Sequence, residues 1–266
     1  ITSGHNIAEN IYLMPEFNNI CGFTETEIDY ILQNVIEECE FSEEKRAEVL
    51  DMMQTFYNGY SFSYGSKEMI YNPTLALYFL KNFQRTCMYP QKMLDSNLSP
   101  DRGKIAYISG LPNGKQMVMD AFSGEKPVAV SELSDRFGVK DVLYAPKDDL
   151  FIISLLYYFG VLTLNGKRTG MGKNILEIPN LVIQRLYAEQ IRETLISDFN
   201  SADALESVEV FYQKGEIQPL CTFIEKNCFK VFDNRDYLHA NELTVKTVFL
   251  TLLYNDTFYI MDSERP

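Results

Sequence analysis

The sequence predicts a mainly α fold with small β-hairpins, an α+β chain, on three observations. Polar caps precede apolar stripes at helical spacing, first at Thr24 and again at Ser42. The aromatic-rich run Tyr60 to Tyr71 is broken at Gly65-Ser66. Two β-prone runs flank a glycine-rich tip around Gly166, Gly170 and Gly172. Within that class the expected architecture is a helical lid-like unit, a winged-helix-like unit, and C-terminal helices ending in one strand.

Taken in order, residues 1–22 carry polar turn residues with no strong period and read as the tail of a preceding domain. Thr24 stands three residues before Glu27, a capping box in which each side chain satisfies the other's backbone donor. The helix it starts runs to about Glu38, with Ile28, Ile31, Leu32, Val35 and Ile36 as its apolar stripe. Ser42, followed by Glu43 and Glu44, starts a second helix, whose stripe is read as Ala47, Leu50 and Phe56. Asn58-Gly59 tolerates a left-handed cap, Tyr60 to Tyr71 is expected as a short hairpin, and Pro73 opens a helix through Phe83.

Turn residues cluster from Tyr89 to Pro100, which places a soft boundary at about 88–98. Ser99-Pro100-Asp101 starts the next helix, and further helices are expected near 113–122, 131–138 and 149–159, before the glycine-tipped hairpin. Helix restarts at Pro179 and extends to about 199 as a connector, with shorter helices at 202–213 and 217–227. The last helix, about 237–254, is apolar nearly all round and is expected to be buried against a sheet or bundle that follows it. Thr257 to Met261 is expected as a strand.

At 266 residues the chain can bury a full core without staples, and 46% apolar and 23% charged residues are ordinary for a folded protein. A net charge of −13 repels phosphate over most of the surface, so nucleic acid could be held only by a local basic patch. No stretch has the length of a membrane span and no signal peptide is evident, so no membrane partner and a cytoplasmic location are expected. Cys21, Cys39, Cys87, Cys221 and Cys228 form an odd set without a CxxC pair, read as reduced and buried thiols. His5 and His239 lack neighbours at metal-ligand spacing, so no metal site is expected.

A phosphate loop GxxxxGK[ST] is absent. Gly110 and Gly114 are separated by three residues instead of four, Lys115 is followed by Gln116, and Gly172-Lys173 is followed by Asn174. Lys167, Arg168 and Lys173 crowd the hairpin tip, where they either lie along phosphates or form a solvated turn, the latter favoured by the acidic chain. Glu242 shares a stripe with Leu238, Val245 and Phe249, so this carboxylate should be paired, protonated, or part of a site. Phe56-Tyr57-Asn58-Gly59-Tyr60 offers a recognition surface or, more simply, packing around a helix cap. Two histidines and no GxSxG leave no Ser-His or Cys-His catalytic arrangement to consider.

Several runs, in order over nearly the whole chain, carry a resemblance: TSGHNIAENIYLMPEFNNICGFTETEI, FYNGYSFS with IYNPTLALYFL, YPQKMLDSNLSPDRGKIAYIS, SLLYYFGVLTL with IPNLVIQRLY, and HANELTVKTVFLTLLYNDTFYIMDSE. Together they resemble the AAA-ATPase-like family of bacterial proteins whose members end in a PD-(D/E)XK nuclease-like domain. His5 departs from the aromatic expected there.

The resemblance implies four parts: the edge of an upstream ATPase core at 1–22, a helical lid-like domain at 23–92, a winged-helix-like domain at 93–200, and a helical connector with the start of the nuclease-like domain at 201–266. It implies ATP and Mg for the parent protein, with Walker motifs upstream, and self-assembly through the parent ATPase core. Glu242 matches the acidic helix position of the nuclease-like domain, while the Asp and ExK positions would fall after Pro266. The expected function is a regulatory, connecting module between ATPase core and nuclease-like domain, silent by itself. The alternative is a nucleic-acid-binding winged-helix module acting through the 166–173 tip, and a third reading is an acidic helical face that recruits another subunit.

Overall fold

The computed structural model describes residues 11, 13–66, 68–90, 93, 99–124, 126–134, 137, 146–195, 201–227 and 242–253. Among them the protein is mostly helical with one small three-stranded antiparallel sheet, the mainly α member of the α+β class that the sequence predicts.

The first three helices are α1 (Glu25–Glu38), α2 (Glu43–Tyr57) and α3 (Pro73–Thr86). Each starts at a side-chain cap. Thr24 Oγ1 accepts from the Glu27 amide at 3.3 Å while Glu27 Oε2 accepts from the Thr24 amide at 2.8 Å, and this pairing holds the Glu27 carboxyl below its ordinary range. Ser42 caps α2 through the Lys45 amide, and Asn72 caps α3 through the amides of Thr74 and Leu75. Their shared core holds Ile28, Leu32, Met53, Leu75, Phe79 and Phe83. The buried row of α2 is Val49, Met53 and Tyr57, one per turn, and Ala47 of the expected stripe is exposed. Leu50 and Phe56 of that stripe are partly buried and pack against the same core, so the expected face flanks the buried row and only Ala47 falls outside it.

The run from Tyr60 to Tyr71 is not a regular hairpin. A single bridge joins Tyr60 to Ile70, with N–H···O distances of 3.1 and 2.9 Å, and Tyr71 turns away to bridge Phe23. Side chains compete for the backbone between them: Asn18 Oδ1 accepts from the Phe62 amide at 2.8 Å and Asn18 Nδ2 donates to the Glu68 carbonyl.

The middle of the chain runs α4 (Ser99–Ser109), α5 (Gly114–Ser123), β1 (Val128–Val130), α6 (Asp149–Tyr158), β2 (Thr163–Arg168), β3 (Asn174–Glu177) and α7 (Leu181–Leu195). The sheet order is β1-β3-β2, both pairs antiparallel, with Val128, Leu176 and Leu164 aligned in one buried row across the strands. Residues 131–134 are irregular where helix was expected at 131–138, and residues 135, 136 and 138 lie outside the described set. The unexpected strand β1 precedes them. It is three residues long and pairs with a segment more than forty residues away, so no local alternation announces it.

α6 is capped by Asp148, which accepts from the Phe151 amide at 2.9 Å, and every residue from Phe151 to Tyr157 is buried. It is the axle of a core that also takes Ile105, Ile108, Phe122, Leu186 and Tyr187. A third cluster, with Val208, Leu220, Ile224 and Leu252, joins α8 (Ser201–Lys214), α9 (Gln218–Asn227) and α10 (Glu242–Leu253). Among the described elements α10 packs on α5, α7 and α8, and the elements expected to follow it lie outside the described residues. Residues 196–200 of the expected connector, 237–241 of the expected last helix, and the expected strand at 257–261 lie outside the described residues.

One expectation is corrected outright. Cys39 and Cys87 form a disulfide across 48 residues, Cα to Cα 5.6 Å, so these two are neither reduced nor fully buried. Cys21 is a free exposed thiol, Cys221 is free and half-buried, and Cys228 lies outside the described residues. Elimination on motif spacing failed because the pair is made by the meeting of two helix ends, which spacing does not encode.

Candidate functional sites

The aromatic run 56–60 sits at the junction between the first helical unit and the middle unit. Tyr57 is fully buried, its hydroxyl donates to the Met93 carbonyl at 2.9 Å, and burial raises its ionisation well above the ordinary phenol value. Gly59 has φ +103°, and a Cβ there would land on the Pro179 carbonyl oxygen, so two backbone segments touch at a point only glycine permits. Beside it Asn180 Nδ2 donates to the Asn58 carbonyl at 2.9 Å while Asn180 Oδ1 accepts from the Ile183 amide, capping α7. On the next residues the Ser61 amide donates to Thr163 Oγ1 at 2.8 Å, and Thr163 Oγ1 donates to the Ser61 carbonyl at 3.1 Å. Asn58, Ser61, Thr163 and Asn180 are all buried. The junction therefore excludes water and keys helix α2, strand β2 and helix α7 to one another. Sequence reasoning singled out Asn58-Gly59 as a cap and missed Thr163 and Asn180, whose partners stand over a hundred residues away.

An open apolar cleft of about 450 Å³ lies beside this junction, walled by Phe17, Ile20, Phe62, Ile70, Tyr158 and Phe159. Among the described residues its lining is mostly apolar and uncharged, which offers contact area. The free Cys21 stands among its lining residues.

The hairpin tip is built by a turn in which the Thr169 amide donates to the Lys173 carbonyl and the Gly172 amide to the Thr169 carbonyl, each at 2.8 Å. Gly166 and Gly172 take φ near +73° and +79°. Lys167, Arg168 and Lys173 are all exposed, and none forms an ion pair with a described residue. Lys173 also lines a groove of about 480 Å³ along β1, which it shares with Lys126, Asp120, Glu132 and Asp149. Opposite charges facing that groove dilute the cationic field on this side of the tip.

Gly110 and Gly114, the nearest approach to a nucleotide loop, form the tight α4–α5 connection. A Cβ on Gly114 would fall on the Ile108 carbonyl oxygen, which accounts for this glycine by packing. Glu242 is the first residue of α10, and its side chain lies outside the described residues, as do His5 and His239. Among the described residues no group of three or more His, Cys, Asp or Glu is arranged to hold a metal ion. None of the described helices is long and apolar enough to cross a membrane. Burial also raises the Tyr71 and Tyr187 phenols. No family model, curated protein or solved structure matches the chain.

Proposed function

We propose that this chain is a regulatory, connecting module of a bacterial AAA-ATPase-like protein, coupling an ATPase core to a nuclease-like domain without a complete catalytic site of its own. The observation that carries the reading is the buried junction of Asn58, Gly59, Ser61, Thr163 and Asn180, which ties the first helical unit to the middle unit by buried hydrogen bonds and a close backbone contact. A coupling element needs such a rigid contact, because a displacement at one end reaches the other only through packed, hydrogen-bonded structure. The ATPase and nuclease-like context rests on the sequence resemblance, and with it ATP and Mg as cofactors of the parent, self-assembly through the parent core, and a cytoplasmic setting.

The test is made in the parent polypeptide. Addition of Mg-ATP should change amide hydrogen exchange in α10, and Gly59→Ala should abolish that change while leaving ATP hydrolysis in place. An α10 that ignores ATP in the unaltered parent would overturn the coupling. The isolated chain, titrated with Mg-ATP in a calorimeter, should give no saturable heat. For Glu242, chain extended through the downstream strands should bind Mg in a way that Glu242→Gln weakens, since one carboxylate leaves most of the ion's oxygen positions to water.

A second reading, nucleic-acid binding through the wing, is favoured by one observation: Lys167, Arg168 and Lys173 project from a turn beside a sheet of order β1-β3-β2, an arrangement that suits a winged-helix-like unit. α6 is buried along Phe151–Tyr157 and carries no cation, so it cannot read bases, and the wing would contact phosphates alone. Fluorescence anisotropy with duplex DNA would then show binding that weakens steeply with salt and disappears when the three cations become alanine.

A further inference from the structure

The Cys39–Cys87 bond joins the C-terminal ends of α1 and α3. Both cysteines are half-buried, so the bond is not sealed inside a core. An independent feature of the backbone marks the same place. Only three non-glycine residues among those described have positive φ, and two of them adjoin the bridge: Glu40 at 56° and Cys87 itself at 50°. Glu40 occupies the left-handed position of a Schellman turn, with its amide on the Glu37 carbonyl and the Phe41 amide on the Ile36 carbonyl, where glycine is the unstrained choice. Each helix therefore ends in a conformation its own residue disfavours, at the point where the two ends are tied.

The chain beyond Cys87 folds back over the same core. Tyr89 lies against Phe83 and Phe79, with ring centroids at 5.7 and 6.3 Å, and its hydroxyl bonds Glu48 at 2.6 Å under the Lys45 ammonium. Met93 then receives the Tyr57 hydroxyl. The link between the first helical unit and the middle unit thus leaves from the clamp.

We propose that Cys39 and Cys87 are a reversible thiol–disulfide site. Oxidised, it clamps the ends of α1 and α3; reduced by a small dithiol, it releases the start of the 87–93 link. In the reduction a thiolate of the dithiol attacks one sulfur and displaces the other as a thiolate, which takes a proton. The second thiol of the reagent then expels the remaining cysteine, leaving two protein thiols and a cyclic disulfide of the reagent. Oxidation by a small disulfide such as oxidised glutathione runs the same exchange backwards. The Gln84–Glu38 hydrogen bond at 2.7 Å and the Phe41–Phe83 ring contact do not depend on the bond, so reduction loosens this corner without dissolving the core.

The test uses the chain as it stands. Alkylation without reductant, followed by peptide mapping, should recover Cys39 and Cys87 joined in one peptide pair, and dithiothreitol should separate them. Reduction should lower the melting temperature by roughly 10 °C and speed tryptic cleavage after Arg85 by about tenfold or more, the ratio expected when local opening becomes more frequent. A variant with Cys21, Cys221 and Cys228 all changed to Ser should keep both responses, while Cys39→Ser should behave as the reduced protein and ignore dithiothreitol. Singly alkylated Cys39 and Cys87 in protein never exposed to reductant would overturn the proposal. So would a reduced protein that melts and is cleaved as the oxidised one.

Discussion

The first helical unit, 25–93, and the middle unit, 99–195, bury comparable clusters of large side chains but reach them by different routes. In the first, three capped helices each place one apolar row against the next, and a covalent bond ties two of them. In the middle, α5 starts at Asn113 in a left-handed conformation without a side-chain cap, and α6 is buried all round. The sheet there pairs residues 128–130 with 174–176. The first unit is specified mainly by neighbours in sequence, the middle unit mainly by distant ones. Local signals therefore describe the first well, whereas the middle depends on contacts that close long loops.

The largest expected effect breaks the link between the two. Gly59→Ala forces a methyl group onto the Pro179 carbonyl at a backbone angle alanine rarely adopts, and should cost roughly 3–5 kcal/mol in chemical denaturation. If the junction joins the units, that variant should also unfold in two steps instead of one. A single sharp transition with unchanged midpoint would mean the contact is dispensable.

Alkali comes next. Burial lifts the phenols of Tyr57 and Tyr71 in the first unit and of Tyr187 in the middle one. Their folded values are raised, so the unfolded chain loses these protons first. The stability they contribute is complete below about pH 10 and falls above it by about 1.4 kcal/mol per tyrosine for each pH unit. In the reduced Gly59→Ala protein, where the two units unfold separately, the larger number of such groups in the first unit should make it melt first as pH rises from 10 to 11, followed by circular dichroism. Replacing Tyr187 with Phe should flatten the middle unit's dependence and leave the first unit's unchanged.

Caps sharpen the contrast at a smaller scale. Thr24→Ala in the first unit and Asp148→Ala in the middle should each cost about 1 kcal/mol, because each leaves a first-turn amide without its acceptor. Asn113→Gly should do the opposite and raise stability by a few tenths to about 1 kcal/mol, since φ is +61° there and no cap bond is lost. The smallest change is expected at the wing tip, where alanine at Lys167, Arg168 and Lys173 together should shift the melting midpoint by less than about 0.5 kcal/mol equivalent. Any loss of salt-dependent DNA binding in that variant would then be a surface effect.

The sequence by itself determined the class, most helix positions and their starts, because caps such as Thr24, Ser42 and Asn72 act on amides two or three residues away. It also placed the hairpin tip, since glycines and β-prone runs need only each other. It could not place β1, whose three residues become a strand only when 174–176 arrive beside them. Nor could it decide that Val49, Met53 and Tyr57 of α2 are the fully buried row while Leu50 and Phe56 only flank it, a choice left to α1 and α3. Of the candidate sites, the exposed cations were legible and the junction was not, because Asn58, Ser61, Thr163 and Asn180 look like ordinary turn and cap residues until the fold brings them together. The Cys39–Cys87 pair follows the same logic: each cysteine is unremarkable in its own helix end, and only the packing of α1 on α3 decides that the two sulfurs meet.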